Sequence, residues 1–195
     1  MVLLASVLVR TFVVTPFSIP SGSMRETLDV GDRILVDRVS YRFGSVDRGD
    51  VVVFDGTDTF GAIAGSSGGL PGWAAPAVRF LSFGLAGSGR TDYVKRVIGV
   101  GGDRVACCDA HGRLTVNSRP VLEKRYLFPG DTPSTLKFDI RVPKGRLWVM
   151  GDHRSDSMDS RAHLGDPGGG TVPESDVVGR VVGVVWPLER LGGLP

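Results

Sequence analysis

Short apolar runs, closed off by glycine, aspartate or arginine, set the pattern of this chain. They fall at 33–36 (RILV), 51–54 (VVVF), 92–100 (DYVKRVIGV), 104–107 (RVAC), 113–122 (RLTVNSRPVL), 146–151 (RLWVMG) and 177–186 (VVGRVVGVVW). Val- and Ile-rich runs of this length predict strands. Several follow a Gly-Asp pair, at Gly31-Asp32, Gly49-Asp50 and Gly102-Asp103, and a fourth pair stands at Gly151-Asp152. Gly and Asp suit tight turns. Asn117 and Ser118 predict the turn of a hairpin. No window keeps a 3.6-residue apolar period over three turns, so long helices are excluded. The pattern predicts a mainly β fold of antiparallel sheets.

Two stretches break the pattern. Residues 55–91 are rich in Gly, Ala and Ser, with Trp73, Phe80 and Phe83 embedded, which predicts a mobile excursion from the sheet or an exposed patch that touches lipid. The N-terminus reads MVLLASVLVRTFVVTPF. Its first apolar run is too short for a hydrocarbon core that needs about 20 residues. Arg10 and the lack of a small-residue cleavage pattern argue against a removable leader. A buried first strand and the tail of a membrane anchor both fit.

At 195 residues and 42% hydrophobic content, one domain can bury a core without disulfides. The net charge is +2 and the basic residues are scattered, which excludes the basic stripe of a nucleic-acid binder. Of 23 basic residues only Lys95, Lys124, Lys137 and Lys144 are lysines. The adjacent Cys107 and Cys108 read as two thiols on opposite faces of a strand.

Lys95 sits inside an apolar strand, with Tyr93 and Val97 on its own face by the period of two. Burial there depresses a lysine pKa, and the neutral amine is then a general base. An edge strand would instead release it to solvent. Ser23, in PFSIPSGSM, needs such a base to become a nucleophile. His111, His153 and His163 are alternative bases, although each reads as a loop or surface residue and no G-x-S-x-G surrounds Ser23. The loop VMGDHRSDSMDSR, at 149–161, lacks the acidic and glycine positions of a calcium loop. It reads instead as a source of hydroxyls and an Asp-Arg pair that orient catalytic groups.

With FSIPSGSMRETLDVGDRILV, RGDVVVF, DYVKRVIGVGGDRV and GDHRSDSMDSR in that order, the chain closely resembles the bacterial type I signal peptidases. The resemblance implies a signal-peptidase-like β-rich fold and a membrane-associated serine endopeptidase that cuts pre-proteins after a small-x-small motif. It assigns Ser23 as nucleophile, Lys95 as general base and Ser21 as oxyanion donor with the Ser23 N–H. Ser157 would bond and orient the lysine, with Asp159 and Arg161 as its supporting pair. Ile19, Pro20, Leu28 and Val94 would border the pockets for the small side chains, with the substrate added as a strand. The partners implied are pre-protein signal peptides and membrane lipid, with the secretion translocon left open. No metal or cofactor is required.

The resemblance also implies a residual or truncated anchor at 1–14, a catalytic β domain at 15–195 with 55–91 inserted, and a single-pass plasma-membrane location facing away from the cytoplasm. The chain departs from the family at Glu26, where proline is usual, and at His153, where asparagine is usual. Two rivals compete with this reading. A self-cleaving repressor-type Ser-Lys protease needs a DNA-binding segment ahead of Ser23, where only 22 residues stand. A non-enzymatic β-rich domain at the membrane surface would use the serines in turns only.

Overall fold

The structure, a computed structural model, describes residues 14–61 and 92–195. Its strands are β1 (Val14–Ser18), β2 (Arg33–Asp37), β3 (Val51–Asp55), β4 (Asp92–Gly99), β5 (Arg104–Cys107), β6 (Thr115–Val116), β7 (Arg119–Pro120), β8 (Phe138–Arg141), β9 (Arg146–Met150), β10 (Val172–Pro173) and β11 (Val177–Trp186). Among the described residues they form two sheets, ordered β1-β2-β11-β3-β4-β9-β10 and β7-β6-β5-β8, with antiparallel pairing throughout. One short helix, α1 (Ser40–Phe43), follows β2. No helix among the described residues is long and apolar enough to cross a membrane.

The run VVVF is continuous rather than alternating because both faces of β3 are covered. Val51 and Val53 pack with Ile19, Met24, Leu28, Ile34 and Val36, while Val52 and Phe54 face Val97, Leu147 and Val149. β9 divides the same way, its Leu147 and Val149 turned to that second cluster and its Trp148 and Met150 turned to the core of the smaller sheet. β9 of the larger sheet therefore supplies part of the core beneath the smaller one.

All seven apolar runs form strands, and 113–122 divides into β6 and β7 around Asn117 (φ 52°) and Ser118 (φ 65°), both left-handed as a type I′ hairpin requires. The pattern did not mark β8, β10 or α1. β10 has only two residues, and β8 alternates apolar with charged positions at the margin of the small sheet. β1 carries Pro16, which this terminal strand tolerates because its outer edge needs no ladder bond. Residues 1–13, and with them most of the expected anchor, lie outside the described residues, as do 62–91. The insertion joins β3 and β4, which pair from Val51↔Arg96 to Asp55↔Asp92. Its described start packs inward: Phe60 is buried edge-on to Phe54 and Tyr93.

Cys107 and Cys108 depart from the expectation of two separate thiols. A cis peptide brings their Cα atoms to 3.0 Å, and the sulfurs are joined as a vicinal disulfide.

Gly179, at a bulge of β11, lies so near β2 that an added Cβ would stand 2.4 Å from the Asp37 carbonyl oxygen. Gly179→Ala should therefore cost about 1–3 kcal/mol through overpacking, read as a lowered urea midpoint with unchanged slope.

Candidate active site

Ser23 is delivered by the chain that leaves β1. The Ile19 N–H donates to the Asp32 carbonyl and the Ile19 carbonyl accepts from the Gly31 N–H, both at 2.9 Å, so the exit from β1 stays fastened to the entrance of β2. A single 3₁₀ turn, Gly22–Met24, then turns inward, pinned by the buried Met24. Ser23 is left 7% exposed.

Lys95 arrives from β4, an interior strand held by β3 on one side and, from Arg96 onward, by β9 on the other. At Lys95 itself the second neighbour is not yet in place, but the side chain is 3% exposed, which rules out its release to solvent. Its Nζ lies 2.7 Å from Ser23 Oγ and 5.9 Å from the centre of the Tyr93 ring. Burial pushes the amine down from its ordinary 10.5 to about 8, while Asp159, Asp152 and Asp156 pull it partly back and Arg161 opposes them. The result is an amine able to take a proton from the hydroxyl it touches.

The loop after β9 closes over this pair. Asp159 is fully buried and accepts from the Ser157 hydroxyl (2.7 Å), the Gly151 N–H (2.9 Å) and Arg161 Nε (2.9 Å) and Nη2 (2.8 Å). Burial alone would raise this carboxyl, but the Arg161 bond and charge, with the other donors, hold it below the usual carboxylate range. Gly151 is required by close approach: an added Cβ would stand 2.5 Å from the Ser23 carbonyl oxygen and 2.3 Å from Ser157 Oγ. Through that gap the His153 N–H donates to the Ser23 carbonyl at 3.1 Å.

A second buried ion pair stands beside the first and was not anticipated. Arg96 donates from Nε and Nη2 to Asp152 (2.9 and 2.8 Å), reaches the Gly49 carbonyl, and lies 4.1 Å over the Tyr126 ring. The Thr27 hydroxyl also donates to Asp152, which ties the turn after Ser23 to the loop after β9. Arg154 pairs with the buried Glu123 and donates to the Gly151 carbonyl at 2.8 Å. An arginine next to Lys95 within an apolar strand was the available signal, since buried charge requires a partner.

Of the expected site residues, Ile19, Pro20, Ser21, Ser23, Val94 and Lys95 line one cleft of about 460 Å³, which Phe60, Tyr93, Asp156, Met158 and His163 complete. Ser21 Oγ lies 3.5 Å from Ser23 Oγ. Two expectations change. Leu28 is fully buried in the core beneath the site and does not line the cleft. The Ser157 hydroxyl goes to Asp159, so its link to Lys95 runs through that carboxylate rather than through a direct bond. His163 is no surface residue: it is buried, stacked on Phe60 at 4.4 Å, with Nδ1 2.7 Å from Asp166. Glu26 stands at φ 80°, which proline cannot adopt, so the turn after Ser23 takes a different course from one bearing proline. Among the described residues no group of His, Cys, Asp or Glu is arranged to hold a metal.

A serine hydroxyl in contact with a desolvated lysine amine, beside a mostly apolar cleft in a β-sheet protein, can perform the chemistry of a serine hydrolase. Comparison with known proteins narrows the class: the family "Signal peptidase, peptidase S26" matches residues 1–186, and the chain belongs to this family of serine endopeptidases. It is 42% identical to "Probable signal peptidase I" of Mycobacterium leprae (strain TN), over 94% of this chain and 72% of that one. It is also 42% identical to "Signal peptidase I" of Mycobacterium tuberculosis (strain ATCC 25618 / H37Rv), over 93% and 68%. "Signal peptidase I" of Leptolyngbya laminosa is 33% identical, over 95% of this chain and 75% of the other.

The depressed lysine has a stability signature. Between about 8 and 10.5 the unfolded chain binds the Lys95 proton and the folded chain does not, so this group adds stability as pH rises through that window and withholds it below. The stability difference between wild type and Lys95→Met should therefore move in favour of wild type by about 3 kcal/mol from pH 7 to pH 10.5, measured by urea unfolding.

Proposed function

We propose that this protein is a membrane-associated endopeptidase that removes signal peptides from exported pre-proteins after a small-x-small motif, with Ser23 as nucleophile and Lys95 as general base. The observation that carries this reading is the 2.7 Å contact between a buried lysine and a buried serine. Lowering the lysine from 10.5 to about 8 raises its neutral fraction at pH 7 from roughly one in three thousand to roughly one in ten.

The neutral amine takes the Ser23 proton as Oγ attacks the scissile carbonyl. The developing oxyanion is met by the Ser23 N–H and the Ser21 hydroxyl. The ammonium then protonates the departing amine, leaving an acyl-enzyme on Ser23. A water that gives its proton to the same lysine attacks the ester, and Oγ recovers a proton as the signal peptide leaves. Asp159, held by Arg161 and Ser157, places a negative charge near Lys95 and so keeps its protonated form accessible in each cycle.

Binding by strand addition is supported by two strand margins. Among the described residues β9 begins to pair with β4 only at Arg96, and β1 ends its sheet, so Tyr93–Lys95 and the chain around Ile19 each offer backbone to the cleft between them. Side chains at the first and third positions before the cut would fill space bounded by Ile19, Pro20 and Val94. The partners are signal peptides and membrane lipid. The apolar residues ahead of β1 are read as part of a single membrane span, with the β domain on the extracytoplasmic face of the plasma membrane.

A peptide carrying an Ala-x-Ala site should be cut after the second Ala by wild type. Ser23→Ala and Lys95→Ala should each lose about a thousandfold or more in kcat. The wild-type rate should rise with pH through an ionisation near 8. An uncut peptide, or a variant as active as wild type, contradicts the assignment.

A further inference from the structure

His153 is not used by the chemistry above, yet its ring touches the backbone that bears the nucleophile. Nδ1 lies 3.3 Å from the Gly22 carbonyl oxygen. A carbonyl only accepts, so Nδ1 carries the proton. The Asp156 carboxylate 3.9 Å away favours that same proton position. The ring is stacked on Phe128, with centroids 4.0 Å apart, which fixes the direction of the Nδ1–H bond. The backbone N–H of His153 meanwhile donates to the Ser23 carbonyl at 3.1 Å. One residue thus grips the peptide groups on both sides of Ser23.

The Gly22 carbonyl and the Ser23 N–H belong to one planar peptide unit. A donor on the carbonyl end orients the N–H end and polarises it, since linked hydrogen bonds strengthen one another. The Gly22 oxygen also accepts the Arg25 N–H at 3.0 Å, which leaves room for His153 on its second lone pair.

We propose that His153 is a positioning residue for the oxyanion site: its Nδ1–H, acting through the Gly22–Ser23 peptide, aims and strengthens the Ser23 N–H toward the substrate oxyanion. The proposal rests on the reading of Ser23 as nucleophile. It concerns the transition state, in which the oxyanion forms, and therefore kcat rather than substrate capture.

Two substitutions separate the donor from the packing. His153→Phe keeps a ring on Phe128 and removes the donor. His153→Asn removes the ring but places an amide nitrogen, three bonds from Cα as Nδ1 is, where it can donate to Gly22. With the Ala-x-Ala peptide and the whole protein, His153→Phe should lower kcat about tenfold with KM within about twofold, since a misaligned group costs up to about a hundredfold. His153→Asn should stay within about threefold of wild type in kcat, on the same estimate. A His153→Phe variant with wild-type kcat overturns the proposal, as does His153→Asn falling as far as His153→Phe. A wild type that leaves the peptide uncut overturns the Ser23 reading and this proposal with it. A wild type that cuts through Ser23 beside an undiminished His153→Phe overturns this proposal alone.

Discussion

Taking the Lys95 amine out of water is the constraint on which the rest of this site depends. Burial favours the neutral amine, but unopposed burial would make the protonated state too costly to visit in a catalytic cycle. Three aspartates oppose it, and two of them are held by structure rather than left to drift. Asp159 is fixed by Arg161, Ser157 and the Gly151 N–H, and Asp152 by Arg96 and Thr27. Asp156, more exposed, sits on the rim of the cleft. Burial set against these three charges leaves the amine at about 8.

The same contacts explain how three distant segments meet within ångströms. The turn after β1, the strand β4 and the loop after β9 have no sequence proximity, and the buried Arg96–Asp152 pair spans the joint between β4 and that loop. Removing one partner from such a pair typically costs 3–5 kcal/mol, because a charge is left buried and alone. The close packing of Gly151 on the Ser23 carbonyl completes the joint, since any side chain there would push the two loops apart.

Much of this was legible in the residues. The apolar runs marked the strands because these strands are buried on both faces or alternate cleanly, and Lys95 stood out because a lysine in an apolar strand has few structural explanations. The Asp159–Arg161 pair was legible because its partners are two residues apart. The Arg96–Asp152 pair was not, since its partners are separated by 56 positions and only the folded sheets bring them together. Leu28 reads as a cleft residue by matching, but the turn after Ser23 buries it completely. Ser157 shows the same limit at the level of one hydroxyl: the loop was identified, but whether its proton meets lysine or carboxylate depends on local geometry. β10 was too short to announce itself, and β1 was one of two readings that the apolar N-terminus left open.

The central claim is that Lys95 is neutral in an appreciable fraction of molecules near neutral pH because the fold buries it against Ser23. Its most direct test is an NMR titration of the Lys95 Nζ or Cε signal, assigned by comparison with Lys95→Met. The account predicts a midpoint at about 8. A Lys95 signal that titrates at the ordinary 10.5 of a lysine amine would contradict it.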